Sequence, residues 1–309
     1  MRSLKFTGNG GFQLKTKDIN IRDPFVLLHD DVYYLYGTRS ATCWGTADGF
    51  DCYCSGDLEN WEGPFEVFHR PGGFFADRSY WAPECYAYNG RFYLITTLGS
   101  ADRKKGIYTL AADDPLGPFK PVSDQQLTPK DWACIDGSLF WDENGVPYLL
   151  FSHSFEDVPS GDMCAVRLSD DLDRAMSDPV RLFSAADAPW ATPVPFAEAE
   201  FGLTGDVYFT DGPCIVRMEN GTLVMLWSSW SERGYAVGAA VSHSGDVLGK
   251  WEHLSETIFP QDGGHGMLFR NKDEELIYTL HYPNDREREH PIFRKVKECG
   301  DRLVLLPER

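Results

Sequence analysis

The sequence has little positive charge. It contains 29 Lys and Arg against 47 Asp and Glu, a formal net charge of −18 at pH 7, and no cluster of Lys and Arg interrupts this excess. A surface of this sign repels phosphate groups, so nucleic acid is excluded as a partner. Anionic membranes and highly anionic polysaccharides are disfavoured for the same reason, whereas neutral ligands remain compatible with the chain.

Signals for a zinc site, a leader peptide or a membrane span are also missing. The 8 Cys are scattered, with no CxxC pair and no zinc-type spacing. The first ten residues contain no apolar segment, and no run of 18 apolar residues occurs. Scattered thiols in a chain of this size are usually buried and reduced, which favours the cytoplasm. A leader peptide that had been removed would leave no trace in this sequence.

What the sequence does contain is a repeat. Hydrophobic residues make up 42% of the chain and charged residues 25%, a balance that excludes disorder by composition. Five segments share one form, in which an acidic residue or a His precedes a short apolar run, a polar turn and an aromatic-rich run. The five leading residues are Asp23, Glu84, Asp136, Asp211 and His265.

Each of these segments is predicted to form a β-hairpin. The turns at Asn89-Gly90, Asn144-Gly145 and Asn220-Gly221 tolerate the positive φ angles that tight hairpins need. The flanking runs are short and rich in β-branched or aromatic residues, which favours strand over helix. A weaker repeat, a polar turn followed by an aromatic residue such as Trp61 or Trp251, adds a second hairpin to most units.

Two hairpins per unit make a four-stranded antiparallel sheet, and five such units predict an all-β chain folded as a five-bladed β-propeller. No linker divides the sequence, so we expect a single domain over residues 1–309. The proline-rich segment 185–206 is expected to be an extended loop. A β-sandwich or a two-domain β protein is the alternative, but neither requires a polar residue at the head of successive hairpins.

The repeated polar position predicts a site. The first strand of each propeller blade lines the central channel, so the five leading residues are expected to meet at one end of it. Carboxyl groups that crowd together do not all ionise at their usual pKa, and glycoside hydrolysis needs one ionised and one protonated carboxyl. Taken singly, an Asp before Gly or Pro is more often a turn former; the recurrence is what favours a site.

At these residues the sequence resembles glycoside hydrolase family 43, whose members are five-bladed propellers that act on arabinofuranosides and xylosides. The segments Ile21–Pro24, Trp81–Glu84 and Ile135–Phe140 carry the resemblance, in that order. It implies that Asp23 is the general base and that Asp136 orients the general acid and tunes its pKa. It also implies that Trp81 and Glu84, together with His265, contact the substrate.

The fourth blade departs from the family pattern, because Asp211-Gly-Pro stands where a Glu-Gly-Pro general acid is usual. Asp211 is nevertheless our first candidate for the proton donor. The alternatives are Glu84, Glu198 and Glu200, or a propeller that binds sugar without cleaving it. If the resemblance holds, hydrolysis is a single inverting step, and the carboxyls of Asp23 and the acid should lie about 6.5–9.5 Å apart.

The resemblance also implies that His265 lies beneath the site and helps to hold a water or a structural cation such as calcium, through water and one or two protein atoms. A hydrogen-bonded histidine without metal is the alternative, and no cofactor is expected to be required. The sequence has no oxygen-rich loop of the EF-hand type. The candidates for stacking on a sugar ring are the aromatic residues near the motifs, Trp44, Tyr80, Trp81 and Trp132.

The expected function is therefore a glycosidase of the α-L-arabinofuranosidase or β-xylosidase type, acting on an oligosaccharide or a polysaccharide-derived glycoside. Two other classes stay open. A non-catalytic carbohydrate-binding propeller would share the fold and the aromatic residues. A protein-interaction propeller would lack converging carboxylates and would carry an exposed apolar patch instead.

Overall fold

The computed structural model describes residues 13–307. Its strands form five antiparallel sheets whose innermost strands contact one another in a ring, which confirms the predicted five-bladed β-propeller. Residues 1–12 and 308–309, which the single-domain prediction includes, lie outside the described residues. Between residues 13 and 307, no helix is long and apolar enough to cross a membrane.

The blades follow one another along the chain, each running from the axis outward. Blade 1 contains β1 Leu14–Lys15, β2 Ile21–His29, β3 Val32–Arg39, β4 Gly49–Ser55 and β5 Asn60–His69, with β1 added outside β5. Blade 2 contains β6 Arg78–Tyr88, β7 Arg91–Gly99, β8 Gly106–Ala112 and β9 Lys120–Pro121. Blade 3 contains β10 Cys134–Trp141, β11 Pro147–His153, β12 Asp162–Arg167 and β13 Val180–Ser184.

The last two blades have the same plan. Blade 4 contains β14 Asp211–Arg217, β15 Leu223–Ser231, β16 Gly234–Ser242 and β17 Glu252–His253. Blade 5 contains β18 Gly264–Arg270, β19 Leu276–Tyr282, β20 His290–Cys299 and β21 Arg302–Leu305. Short 3-10 helices span Thr16–Asp18, Ser40–Thr42 and Ala185–Asp187, and the α-helix α1 spans Ala197–Phe201.

The five predicted hairpins are confirmed as the two inner strands of each blade. In blade 2 the turn residues Asn89 and Gly90 both have positive φ, 47° and 75°, as a two-residue hairpin turn requires. Large aromatic side chains pack between the sheets; Trp61 and Trp227 are fully buried. All eight cysteines are free, and seven of them are buried, as their scattered positions predicted.

The segment 185–206 is not purely extended, which corrects the prediction of a loop. It contains the 3-10 helix Ala185–Asp187 and the helix α1. Its Trp190 packs against blade 4, with its ring centroid 4.7 Å from that of Trp227 and the two rings tilted by 46°. Gly238 makes this approach possible, because a Cβ atom there would lie 2.1 Å from the Trp190 ring. Packing against a neighbouring blade therefore orders a proline-rich stretch that has no strand pattern of its own.

The structural repeat is a β-bulge in every innermost strand. Each strand gains one extra residue at this bulge, and the first residue of the bulge has a left-handed backbone. The innermost strand of blade 2 has a second bulge, at Ser79. These five residues are Asp23 (φ 54°), Ala82 (φ 46°), Asp136 (φ 59°), Gly212 (φ 50°) and His265 (φ 44°). A positive φ strains any residue except glycine, so four of the five blades hold strain at the channel.

This register corrects the predicted equivalence of the five polar residues. Asp23, Asp136 and His265 do occupy the same position, the first residue of the bulge. Glu84 lies two residues after the bulge position of its blade, Ala82, and Asp211 lies one residue before Gly212. An acidic residue can precede or follow the first residue of the bulge, because the extra residue changes the direction in which neighbouring side chains point.

Side chains of β3, β7, β15 and β19 form hydrogen bonds with the backbone of four of the bulges, and each bond joins a bulge to the preceding blade. The hydroxyl oxygens of Thr38, Thr97 and Ser228 accept the backbone N–H groups of the next bulge residues Ala82, Asp136 and His265, at 2.8, 2.9 and 2.8 Å. The Nδ1 atom of His281 accepts the N–H of Asp23 at 3.3 Å. In blade 3 the corresponding Ser152 instead donates to the carbonyl oxygen of Thr210, at 2.6 Å.

The ring closes between blade 5 and blade 1 through a buried carboxylate. Glu289, which is 1% exposed, accepts a hydrogen bond from the hydroxyl of Ser40 at 2.6 Å and lies 3.5 Å from the guanidinium of Arg22. The side-chain amide of Asn20 donates to the Glu289 carbonyl oxygen at 2.9 Å. Polar contacts, rather than a strand shared between two blades, join the first blade to the last.

Candidate active site

A small pocket opens at the axis, where the five bulges meet. Its volume is about 70 Å³. Three carboxylates and one imidazole line it, together with aromatic and aliphatic side chains. The lining residues are Arg22, Asp23, Cys43, Trp44, Trp81, Ile135, Asp136, Asp211 and His265.

His265 is the hub of the pocket. Its Nδ1 atom lies 3.3 Å from Oδ1 of Asp23, 3.1 Å from Oδ1 of Asp211 and 3.7 Å from Oδ2 of Asp136. Burial alone would lower the pKa of His265, but the three carboxylates raise it to about 10. The imidazole is therefore an imidazolium at neutral pH, and its charge offsets the negative charge that the carboxylates bring into a buried space.

Asp23 is held in its ionised form. Thr38 donates a hydrogen bond to its Oδ2 atom at 2.6 Å, and Nε of Arg22 lies 3.4 Å from its Oδ1 atom. Burial would raise the pKa of Asp23, but the charges of His265 and Arg22 outweigh burial and lower it below its usual value. An ionised carboxylate with fixed orientation is what a general base needs.

Asp211 and Asp136 lie close together, and their pKa values are shifted in opposite directions. Tyr235 donates a hydrogen bond to Oδ2 of Asp211 at 2.5 Å. With His265 on its other oxygen, Asp211 has a pKa well below its usual value, although burial opposes this. Oδ2 of Asp136 is buried without a hydrogen-bond partner among the described residues. Burial and the adjacent Asp211 charge raise the pKa of Asp136 well above its usual value, so Asp136 is the member of the pair that holds a proton more tightly.

Glu84 lies beside the channel and does not line the pocket. Its carboxylate accepts a hydrogen bond from the hydroxyl of Tyr86, and that hydroxyl also accepts the backbone N–H of Leu139. Burial raises the pKa of Glu84 to about 7. The other two candidate donors, Glu198 and Glu200, are exposed on α1, and neither lines a cavity described here.

The aromatic candidates separate into two groups. Trp44 and Trp81 line the pocket, with ring centroids 5.5 Å apart, and Trp81 donates its indole N–H to the carbonyl oxygen of Cys43. Tyr80 is buried and cannot face a ligand. Trp132 stacks on His153, with ring centroids 4.0 Å apart. Only the first two rings are placed to contact a sugar in the pocket.

The pocket has donor atoms that fit a cation. One ligand atom each from Asp136, Asp211 and His265 lie within 4.8 Å of one another. Two carboxylates and an imidazole are a suitable donor set when waters complete the coordination shell. The imidazole can bind a cation only in its neutral form, so a metal ion and the His265 proton compete for the same position.

The sequence reading missed Tyr235, Thr38 and His281. Tyr235 lies on β16, outside the repeated hairpin motif, and nothing in its local sequence distinguishes it from a core tyrosine. Thr38 and His281 could have been found from the sequence, because each pairs across its hairpin with the residue that precedes the bulge of its own blade. Aligning the second strands of the hairpins by that register would have shown a hydrogen-bonding side chain in every blade.

The expected separation of the Asp23 and Asp211 carboxyl groups, about 6.5–9.5 Å, stays a prediction. The Oδ1 atoms of both residues contact the same imidazole nitrogen, at 3.3 and 3.1 Å, which limits the distance between these two oxygens but not the distance between the two carboxyl groups.

Comparison with known proteins agrees with this fold. A family model described as glycosyl hydrolases family 43 matches residues 17–297. The crystal structure of an endo-arabinase from Bacteroides thetaiotaomicron has a TM-score of 0.85 and 36% identity, covering 94% of this chain and 99% of that one. The structure of a thermostable family-43 glycoside hydrolase has a TM-score of 0.78 and 23% identity, covering 98% and 96% of the two chains.

A curated relative is more distant and matches over a shorter length. An extracellular exo-α-(1→5)-L-arabinofuranosidase from Cellvibrio japonicus is 24% identical over 174 residues, which are 51% of this chain and 46% of the relative. The chain therefore spans about half the length of the curated relatives that it matches.

Proposed function

The chain belongs to glycosyl hydrolases family 43, and from this membership we propose that it is an inverting glycosidase that hydrolyses arabinofuranosidic bonds. The two relatives with an arabinan-type name, one of them 36% identical in structure comparison, favour arabinofuranosides over xylosides. The observation that carries the proposal is the placement of Asp23 and Asp211 within 3.3 and 3.1 Å of the same nitrogen of the buried His265.

The proposed step assigns one role to each carboxyl. Asp23, which is ionised, takes a proton from the attacking water. Asp211 takes a proton from Asp136 and donates it to the leaving oxygen. After one turnover Asp23 carries a proton and Asp136 is ionised, so return of a proton from Asp23 to Asp136 through water restores the starting state. This transfer from Asp136 thus explains how an Asp with a low pKa can act as a general acid.

The test uses aryl arabinofuranosides and xylosides with Asp23→Asn and Asp211→Asn. We expect arabinofuranosides to be the better substrates and Asp23→Asn to lose at least about 100-fold in kcat. The exposed turn residue Asp31, as Asp31→Asn, is the matched control and should keep full activity. The anomer formed first, followed by NMR, should be inverted; a retained anomer or an active Asp23→Asn variant would contradict the mechanism.

The second candidate function is a propeller that binds sugar without cleaving it. The short, ionised Asp211 side chain favours it, because an acid that is too far from the leaving oxygen does not transfer its proton. The variant Asp211→Glu separates the two. Activity in the natural chain supports the hydrolase, whereas sugar binding without turnover, together with activity gained by Asp211→Glu, would show a binding protein.

We also propose that the reaction requires no cofactor, because the His265 imidazolium already supplies positive charge among the carboxylates. A cation such as calcium would be held by Asp136, Asp211 and His265 with water completing its shell, and its charge would stabilise the site in place of the imidazolium. Activity should therefore survive dialysis against a chelator at pH 7. Loss of activity that calcium restores would contradict this part of the proposal.

A further inference from the structure

A groove with a volume of about 930 Å³ lies between blades 1 and 2, where β2, β6 and β8 end. β2 and β6 carry Asp23 and Trp81 near their beginning, at the axial pocket. The far ends of these strands are six or seven residues further on, which places the groove about 20 Å from that pocket. No residue lines both concavities. The groove is therefore separate from the candidate active site.

The groove carries both acceptors and donors of hydrogen bonds. Its carboxylates are Asp30, Asp113 and Asp114. Oδ1 of Asp114 accepts the backbone N–H of Leu116 at 2.9 Å, and Oδ1 of Asp113 accepts Nε of Arg91 at 3.1 Å. The Oδ2 atoms of both residues receive no hydrogen bond from residues 13–307, so they can accept one from a ligand. The other polar lining residues, which can donate, are His29, Tyr34, Tyr88, Asn89 and Arg91.

Tyr34 is the strongest indication of a ligand. It is only 6% exposed and lines the groove, and its hydroxyl has no hydrogen-bond partner among residues 13–307. Burial and the neighbouring groups of Cys54, Asp114 and Asp30 raise the pKa of Tyr34, so the hydroxyl keeps its proton and can donate. A buried polar group without a partner costs free energy, which an acceptor in the groove would recover.

An aromatic ring gives the groove an apolar surface as well. The half-buried Tyr88 ring packs against Tyr93 and Trp141, with ring centroids 6.2 and 5.3 Å apart. These contacts fix the ring before a ligand arrives, which reduces the entropy lost on binding. The lining residues without polar side chains are Val32, Ala87, Gly90, Phe92 and Pro115. A sugar presents C–H groups to such a surface and hydroxyl groups to the carboxylates.

Other classes of ligand fit the groove less well. An anion would meet three carboxylates in a chain of net charge −18. Within residues 13–307, the only group of three or more His, Cys, Asp and Glu close enough to hold a metal ion is in the axial pocket. A polycation would be attracted by the carboxylates but repelled by Arg91. A neutral ligand with many hydroxyl groups can use every polar side chain, because a hydroxyl both donates and accepts.

We propose that the groove between blades 1 and 2 binds a neutral oligosaccharide chain without cleaving it. The choice of arabinan as the ligand rests on the proposed function, whereas binding in the groove does not depend on the catalytic carboxylates. A polysaccharide held there would raise the effective concentration of sugar at the axial pocket.

The test is affinity electrophoresis of the full chain in gels that contain an excess of linear arabinan or of neutral xylan. Tyr34→Phe removes the hydroxyl and keeps the ring, and it should raise the dissociation constant about 5-fold, as loss of one hydrogen bond predicts. Arg91→Ala changes an exposed residue and should weaken binding to a similar extent. The matched controls are Tyr53→Phe, at a buried tyrosine of blade 1 outside the groove, and Arg174→Ala, at an exposed ion pair of blade 3. Both controls should bind like the natural chain.

A kinetic measurement adds a second readout. Tyr34→Phe should lower kcat/KM for arabinan more than kcat/KM for phenyl arabinofuranoside, because only the polysaccharide is long enough to occupy the groove and the axial pocket together. An equal effect on both substrates would contradict a separate binding site.

The outcomes separate this inference from the proposed function. If no glycoside is cleaved but Tyr34→Phe and Arg91→Ala weaken retardation in the gel, the groove binds sugar and the proposed function fails. If arabinan is cleaved while both variants are retarded like the natural chain, at equal melting temperatures, the groove is refuted and the hydrolase remains. Absence of retardation of the natural chain by either polysaccharide would refute the groove. Binding of spermidine in place of polysaccharide, lost in Asp114→Asn, would show a cation site and overturn the proposal.

Discussion

The ionisation states of the carboxyl groups in the pocket depend more on the surroundings of each group than on its residue type. Asp23, Asp136 and Asp211 are chemically identical side chains within one small pocket. Asp23 is ionised because a guanidinium and an imidazolium lie beside it. Asp136 is neutral because it is buried beside a charge. Asp211 is ionised because of its three hydrogen-bonding neighbours. Catalytic roles can therefore differ among identical groups because neighbours separate their pKa values.

Glu84 provides a stability test at this scale. Its pKa rises from 4.5 to about 7 in the fold, so the folded state holds the proton more tightly than the unfolded state. The stability that this supplies is present below pH 4.5 and is lost as the pH rises through 7, a loss on the order of 3 kcal/mol. We expect Glu84→Gln to remove this decline in the free energy of unfolding, measured by denaturant titration from pH 4 to 8. An unchanged decline in the variant would show that Glu84 does not titrate in this range.

Tyr235 provides a kinetic test. Its hydroxyl stabilises the ionised form of Asp211, so Tyr235→Phe should raise the pKa of Asp211, the proposed general acid. The Asp136–Asp211 pair then keeps its proton to higher pH, and the alkaline limb of the kcat/KM profile should move upward, with about a 10-fold loss in kcat from poorer orientation. A purely structural role would lower activity without moving the limb. The control is Tyr53→Phe, since Tyr53 lies outside the pocket.

At the scale of elements, the β-bulge is the feature that builds the site. An unbroken strand would send alternate side chains to opposite faces of its sheet. The bulge adds a residue in a left-handed conformation, and three of the five such residues carry the side chains that meet in the pocket. Gly212 fills the position in blade 4, where a Cβ atom would lie 2.6 Å from the His265 ring. The site thus depends on backbone strain that the sheet and the neighbouring blade maintain.

Ala82 tests whether that strain exists. Ala82→Gly and Ala239→Gly both remove a buried methyl group from a strand and loosen the unfolded chain, but only Ala82 has a positive φ. Relief of the left-handed strain, about 1–2 kcal/mol, should offset the loss at Ala82. We expect Ala82→Gly to destabilise the protein by at least about 1 kcal/mol less than Ala239→Gly. Equal losses of unfolding free energy would argue against strain at the bulge.

At the scale of the whole molecule, the ring holds together because every neighbouring pair of blades is joined. Hydrogen bonds to the bulge residues link most pairs, and the junction of blades 5 and 1 adds the buried Glu289 with Ser40 and Arg22. Arg22 links this junction to the axial pocket, since it lies 3.5 Å from Glu289 and 3.4 Å from Asp23. Closure of the ring and the ionised state of Asp23 therefore involve the same guanidinium.

Removal of the Glu289 carboxylate should open this junction. Glu289→Ala removes the hydrogen-bond acceptor of the Ser40 hydroxyl and one of the two carboxylates beside Arg22, while Asp23 still pairs with Arg22, so we expect a loss of about 1–3 kcal/mol. Glu287→Ala, an exposed neighbour, should change the free energy of unfolding by less than about 0.5 kcal/mol. Guanidinium unfolding of both variants measures the difference. A loss at Glu289 no larger than at Glu287 would mean that the buried pair does not hold the ring closed.

Much of the fold could be predicted from the sequence, and so could several residues that line the pocket, although Glu84 does not line it and Tyr235 was not predicted. The hairpins at Asp23 and Asp136 were read from short apolar runs and turn residues, because those patterns act over a few neighbouring positions. Two of the five polar residues were placed at the wrong register: Glu84 and Asp211 lie beside the bulge position rather than on it. A single extra residue changes which side chain faces the axis, and nothing in one blade's sequence marks where it falls.

The sequence by itself determined five β-hairpins, their order around the ring and the acidic character of the channel, because strand patterns, turns and residue types are local properties. Only the tertiary structure decided which of Asp136 and Asp211 holds a proton more tightly, which aromatic side chains lie near Asp211, and how blade 5 joins blade 1 at Glu289. These depend on burial and on distances between groups far apart in the chain. Neither exists until the blades pack around a common axis.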